Sequence, residues 1–324
     1  MLTPTATDPL PDGEPPSDAS APRRRLLILL AIGAVVVLAA FAIDVVRPDG
    51  PPSSPPGSWT LVPHSGLGAW VDVYDWTVEL GGATPAVDTT DIDAMAAAGV
   101  QTLYLQTSHR RSNAVVMEQE RLEELIDGAH ANDMHVVAWY LPTFLDPAED
   151  LARLLAAAEL RVDGLAVDIE STDLVDVAER NRRLLELSDQ LRTTLGPDKT
   201  LAAITLSTVH TQVVNPAFWP AYPYADIGER YDAILPMAYW SIRAGELREA
   251  ARYAGENVDR LRAVVGDVPI HLIGGIADEV STSDIAGMVD AIEARQVIGG
   301  SLYDWATSNL RQWTALAPLR ALRP

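Results

Sequence analysis

The chain has no cysteine among its 324 residues. That absence excludes disulfide staples, lipidation at a lipobox cysteine, thiolate metal sites and cysteine nucleophiles together. Positive charge is scarce as well: 24 Lys and Arg stand against 45 Asp and Glu, a formal net charge of −21. Such a chain repels nucleic acid, so no nucleic-acid partner is expected. Three signatures of common chemistries are also missing. No G-x-G-x-x-G follows the first strand-like run, and no G-x-S-x-G elbow exists for a serine hydrolase. The six histidines (His64, His109, His130, His135, His210 and His271) show neither H-x-x-x-H nor H-x-H spacing. A metal-dependent phosphodiesterase therefore has no support, and neither metal nor cofactor is expected.

What is present divides the chain into four parts. Residues 1–22 hold six prolines and four acids without hydrophobic periodicity, the composition of a disordered tail. Arg23-Arg24-Arg25 then precede Leu26 to Ile43, eighteen residues without a polar side chain. As a helix that run is roughly 27 Å long, enough to cross a hydrocarbon core. We expect a single transmembrane signal anchor over 23–46. The arginines hold the N-terminus in the cytoplasm and leave the rest extracytoplasmic. A cleaved signal peptide is the alternative, because Ala40-Phe41-Ala42 fits an A-x-A site. Residues 47–68 carry six more prolines and read as a semi-rigid linker.

From 69 to 318, short apolar runs alternate with helical patterns, the rhythm of a parallel sheet with crossover helices. Strands are expected at 69–75, 101–106, 135–140, 162–170, 201–207, 231–239, 269–274 and 297–304. Helices are expected at 91–98, 117–132, 147–158, 172–195, 247–265, 281–295 and 307–316, with a weak pattern after the fifth strand. Eight such units in about 250 residues predict a (β/α)8 TIM barrel; a doubly wound open sheet is the alternative.

Ligands of such barrels bind where the strands end. The fourth strand ends in acid: Ala166, Asp168 and Glu170 share one face by alternation. Two carboxylates on one buried face are costly unless paired or used. Around them the strand ends supply Asp72, Asp75 and Trp76; Trp139 and Tyr140; Met237, Tyr239 and Trp240; and Asp304 and Trp305. Carboxylates beside aromatic planes suit a sugar, whose hydroxyls need acceptors and whose C–H faces pack on rings. Gly274-Gly275 lie where barrels often bind phosphate.

The run Asp163-x-x-Ala166-x-Asp168-x-Glu170 resembles the D-x-x-D-x-D-x-E signature of glycoside hydrolase family 18, the chitinases and their relatives. Met237-Ala238-Tyr239 is similar to that family's M-x-Y, and Trp305 to its tryptophan closing the eighth strand. The resemblance implies a general acid at Glu170. It also implies that Asp168 orients a substrate acetamido group, that Tyr239 assists and that Trp305 floors the sugar subsite. Two positions depart from the pattern: Ala166 replaces the middle aspartate, which holds its neighbour, and Trp240 replaces the acid after M-x-Y. The expectation is a membrane-anchored glycosidase acting on a cell-envelope or extracellular polysaccharide, with Asp72, Asp75 and Asp304 as reserve bases. The alternative is a non-catalytic glycan-binding barrel.

Overall fold

A computed structural model describes residues 60–324. The expected tail, the span at 26–43 and most of the linker lie outside the described residues. No helix among the described residues is long and apolar enough to cross a membrane.

Eight parallel strands close in sequence order: β1 (Gly66–Val71), β2 (Thr102–Gln106), β3 (His135–Tyr140), β4 (Gly164–Ile169), β5 (Leu201–Leu206), β6 (Ala233–Met237), β7 (His271–Ile276) and β8 (Gly299–Tyr303). The crossovers carry α1 (Val73–Trp76), α2 (Val78–Gly81), α3 (Thr89–Ala97), α4 (Gln119–Ala131), α5 (Pro147–Ala158), α6 (Val177–Leu195), α7 (Tyr224–Gly228), α8 (Ala250–Val265) and α9 (Thr282–Ala294), and α10 (Leu310–Leu316) follows β8. The TIM-barrel expectation holds. Strands covered on both faces read as near-continuous apolar runs, and all six residues of β4 are buried.

Pairing register sorts the side chains. Trp139 lies opposite Gln106 and Ala166, and Asp168 opposite Ile204, so these point into the barrel. Their sequence neighbours Tyr140 and Val167 point to the helices. The interior is unusually aromatic. Trp70 stacks on Tyr104 with ring centroids 4.2 Å apart, and meets Trp139 edge-on at 5.9 Å. Trp70 Nε1 donates to Ser301 Oγ at 2.8 Å, and His271 Nε2 meets the same hydroxyl at 2.9 Å. Below them a short 3-10 turn (Val62–His64) inserts His64 as a plug, beside Gly164, where a Cβ would lie 3.3 Å from His64 Nε2.

Two elements differ most from the sequence expectation. The first strand runs Gly66–Val71, not 69–75, so the barrel begins inside the stretch read as linker. Asp72 ends it because its carboxylate accepts from Tyr74 N in a capping box with Asp75, which starts a helical turn. Helix α6 starts at Val177, capped by Asp176, rather than near 172, which leaves 170–176 as a loop over the mouth. The expected capping box at Ser281–Asp284 is present on α9.

Candidate active site

Asp168 sits on β4 with 6% of its surface exposed, and its Oδ1 has no hydrogen-bond partner. Glu170 follows one residue beyond the strand and is partly exposed. Burial pushes the Glu170 carboxyl up to about 6. Burial first, and then the charge of Glu170, push Asp168 well above the usual carboxylate range. The two carboxyls thus hold a proton that isolated acids would have lost by neutral pH. Nothing in the described structure donates to Asp168 Oδ1, and Ala166, two residues back on the same face, has no polar atom to offer.

Tyr239 stands next to this pair. Its phenol is raised by burial and then by the charges of Glu170, Asp168 and Asp304, so it stays a proton donor across the working range. Its ring lies 6.2 Å from that of Tyr303. Tyr303 in turn donates to Asp72 Oδ2 at 2.8 Å. Glu170, Tyr239 and Tyr303 are the partly exposed members of this group, and so the ones an incoming ligand meets.

Asp72, Asp75 and Asp304 offer carboxylate oxygens that lie within 4.8 Å of one another, all from buried residues. Each already serves its own turn. Asp72 Oδ1 accepts from Tyr74 N, Asp75 reaches back to Asp72 N, and Asp304 Oδ1 accepts from Thr307 N and Oγ1. These caps explain why three acids converge there.

The aromatic residues expected at the mouth divide differently. Trp139 and Met237 face the interior, and Trp139 Nε1 is buried without a partner. Trp76 is wholly buried in the α1 turn, donating Nε1 to Gln106 O at 2.9 Å. Tyr140 faces the helix layer, its hydroxyl on Asp150 Oδ1 at 2.8 Å. Trp240 is wholly buried against Gly274 and Gly275, whose missing side chains make room for the indole. That packing, not phosphate, accounts for the glycine pair. Trp305 turns outward to Asp91 Oδ1 (3.2 Å) and to Trp313, 5.0 Å between rings. Tyr303, on the same face as Ser301 by alternation, is instead the eighth-strand ring beside Tyr239. The sequence reading also left Tyr222 without a role. It comes from the aromatic stretch after β5 and donates to Ile169 O at 2.8 Å, bracing the strand end that carries Glu170.

One other predicted motif residue is structural. Asp163 lies at the opposite end of β4, where Oδ2 meets His130 Nε2 at 2.9 Å and accepts from Val136 N at 2.8 Å. A surface hollow of about 690 Å³ also lies at that opposite end, lined by Leu61, Pro197, Thr200 and Asp232 among others, and is remote from the acidic pair.

No protein-family model and no curated protein matches the chain. Solved structures do. The spore cortex-lytic enzyme SleL of Bacillus cereus superposes with a TM-score of 0.60 at 8% identity, covering 80% of this chain and 75% of that one. A chitinase from Bacteroides thetaiotaomicron gives 0.57 at 11% identity, over 79% and 96%. The endo-1,4-beta-mannanase of Rhizomucor miehei gives 0.56 at 7% identity, over 78% and 95%. The shared feature is the (β/α)8 barrel. At these identities the likeness is one of architecture.

Proposed function

We propose that the barrel is a glycoside hydrolase that acts on a cell-envelope or extracellular polysaccharide, with Glu170 as the general acid. The observation that carries this reading is the Glu170 carboxyl, raised to about 6 by burial yet partly exposed at the mouth. Cleaving a glycosidic bond needs a carboxylic acid still protonated near neutral pH to protonate the leaving oxygen. Asp168 is the partner: it orients a substrate 2-acetamido group or a water, and the Tyr239 phenol donates to the same group. Solved barrels of the same architecture include a chitinase and a spore cortex-lytic enzyme, which supports an amino-sugar-containing substrate.

The N-terminal run Leu26–Ile43 makes the protein a single-pass membrane anchor with the barrel outside, or a secreted protein if the chain is cut near Ala42. Fractionation with an antibody to the barrel separates the two, because only the uncut form pellets with membranes.

A second reading, a glycan-binding barrel without turnover, is favoured by one observation: Asp168 Oδ1 has no donor to hold it. Reducing-end release by residues 60–324 on amino-sugar and envelope polysaccharides decides between them, with Glu170→Gln alongside. Cleavage that drops about 100-fold or more in the variant establishes the acid. Binding without cleavage in both proteins establishes the binding barrel. Equal cleavage by both removes Glu170 from the role.

A further inference from the structure

Acidic side chains end β1, β4 and β8, and a guanidinium without an ion pair among the described residues follows β6. Arg243 follows the short helical turn Trp240–Ile242, four residues after Tyr239. Its Nε donates to the Tyr253 hydroxyl at 3.0 Å, and its guanidinium carbon lies 5.6 Å from that ring centroid. Its two terminal amino groups make no hydrogen bond or ion pair among the described residues.

The support beneath Arg243 is built and rigid. Tyr253 is wholly buried on α8, and its hydroxyl meets Ser207 Oγ at 2.9 Å. Ser207 Oγ donates to Asn257 Oδ1 at 2.7 Å, and Asn257 Nδ2 donates to Tyr253 O at 2.8 Å. The same Ser207 hydroxyl accepts from His210 N, fixing the start of the π-helical turn His210–Val214. Burial first, and then the charge of Arg243, disfavour the His210 cation, and its Nδ1 is buried without a partner. Ile242 and Val213, exposed at 55% and 47%, supply apolar surface from the same two loops.

A guanidinium held by Nε, with its outer pair of N–H groups uncommitted, presents the planar fork that matches a carboxylate. One guanidinium balances one negative charge, which fits a carboxylate rather than a phosphate dianion. Resting on the glycosidase or glycan-binding reading of the mouth, we infer that Arg243 is the specificity residue of a subsite for a carboxylate-bearing sugar, with Tyr253 as its positioning residue.

The test is binding, read by tryptophan fluorescence on the full chain in detergent, with Glu170→Gln present throughout to prevent turnover. The probes are a glycan of alternating N-acetylglucosamine and N-acetylmuramic acid without peptide, and the same glycan with its carboxyls reduced to alcohols. The expected result is a preference for the carboxylated form, on the order of 10-fold, that Arg243→Gln abolishes and Arg243→Lys only weakens. Tyr253→Phe, which keeps the ring and removes the acceptor, lowers the preference without changing affinity for the reduced glycan. Equal affinity of the Glu170→Gln protein for both probes overturns the subsite and leaves the glycan reading of the mouth intact. Binding of neither probe overturns both.

Discussion

The Tyr303 hydroxyl donates to Asp72 Oδ2 across 2.8 Å, tying the end of β8 to the turn that follows β1. The phenol is pushed up by burial and then by the charges of Asp72 and Asp304, so its proton stays in that bond at any ordinary pH. Tyr303→Phe removes the donor from a carboxylate that is 8% exposed. The expected cost is about 1–2 kcal/mol, as for a buried hydrogen bond to a charged group, read from urea midpoints at pH 7. An unchanged midpoint would show that other donors at Asp72 carry the closure.

Glu170 makes the opposite prediction, a residue whose removal stabilises. Its folded value of about 6 lies above the ordinary 4.5. Between those values the folded state holds a proton that the unfolded chain releases, so stability falls as pH rises through the window. Glu170→Gln is expected to stabilise the barrel above pH 6, by at most about 2 kcal/mol given the partly exposed side chain, and to do nothing below pH 4.5. Denaturant midpoints of the two proteins at pH 4.5 and 7.5 check the sign. In wild type the same group predicts kcat/KM that falls above pH 6, as the acid ionises.

At the other end of the barrel, His64 and His271 titrate in the reverse sense. Burial first, and then His135, lower His64 to about 4; burial is also the main cause that lowers His271 to about 3. Their unfolded values sit near 6.5, so as pH falls below that the unfolded chain takes up protons that the folded chain refuses, and stability is lost. His64 has no partner on either ring nitrogen, so His64→Leu breaks no hydrogen bond. The variant should match or exceed wild type at pH 7.5, and should lead by about 2 kcal/mol more at pH 5. A lead that does not grow on acidification would contradict this.

Gly274 tests the indole packing that replaced the phosphate expectation. A Cβ there would lie 2.6 Å from Met288 Sδ and 2.9 Å from both Leu302 Cδ2 and Trp240 Cη2. Three neighbours on three elements cannot all yield, so Gly274→Ala should cost about 1–3 kcal/mol by overpacking. The same substitution at Gly196, where no atom stands within 4 Å, is opposed only by its positive φ of 78° and serves as the comparison.

Period-2 alternation and helix caps carried most of the barrel. The strand over 135–140 and the helix over 147–158 are found where the pattern puts them, because β3 is apolar after His135 and Asp146 caps a proline-led helix. Alternation also placed Asp168 on the inner face of β4, since pairing with Ile204 respects it. It stopped working where strands stop. Trp305 is two residues beyond Tyr303 and would share its face, but the chain turns at Asp304, and Trp305 N bonds Trp70 O instead. Trp76 and Trp240 likewise sit in turns, where indole size and buried room decide the direction. Ser171 and Asp173 carry the same capping chemistry as Asp176, and only packing chooses among them.

Ala166 offers the sharpest test of the acidic pair. It lies on the inner face opposite Trp139 and Ala202, one strand step below Asp168, whose Oδ1 has no donor. That step is roughly 6.6 Å between Cα atoms, a gap that an asparagine amide and an aspartate carboxylate can close between them. A donor bonded to the ionised form lowers a carboxyl's pKa, so Ala166→Asn should bring Asp168 down. Its charge would then be present over a wider range, and the like-charge repulsion would hold the Glu170 proton to higher pH. The alkaline limb of kcat/KM is expected to move up by about half a unit to one unit, with the thermal midpoint monitored for crowding against Trp139. A limb that stays in place in a folded variant would mean that Asp168 and Glu170 do not share their protons, and that burial alone sets the acid.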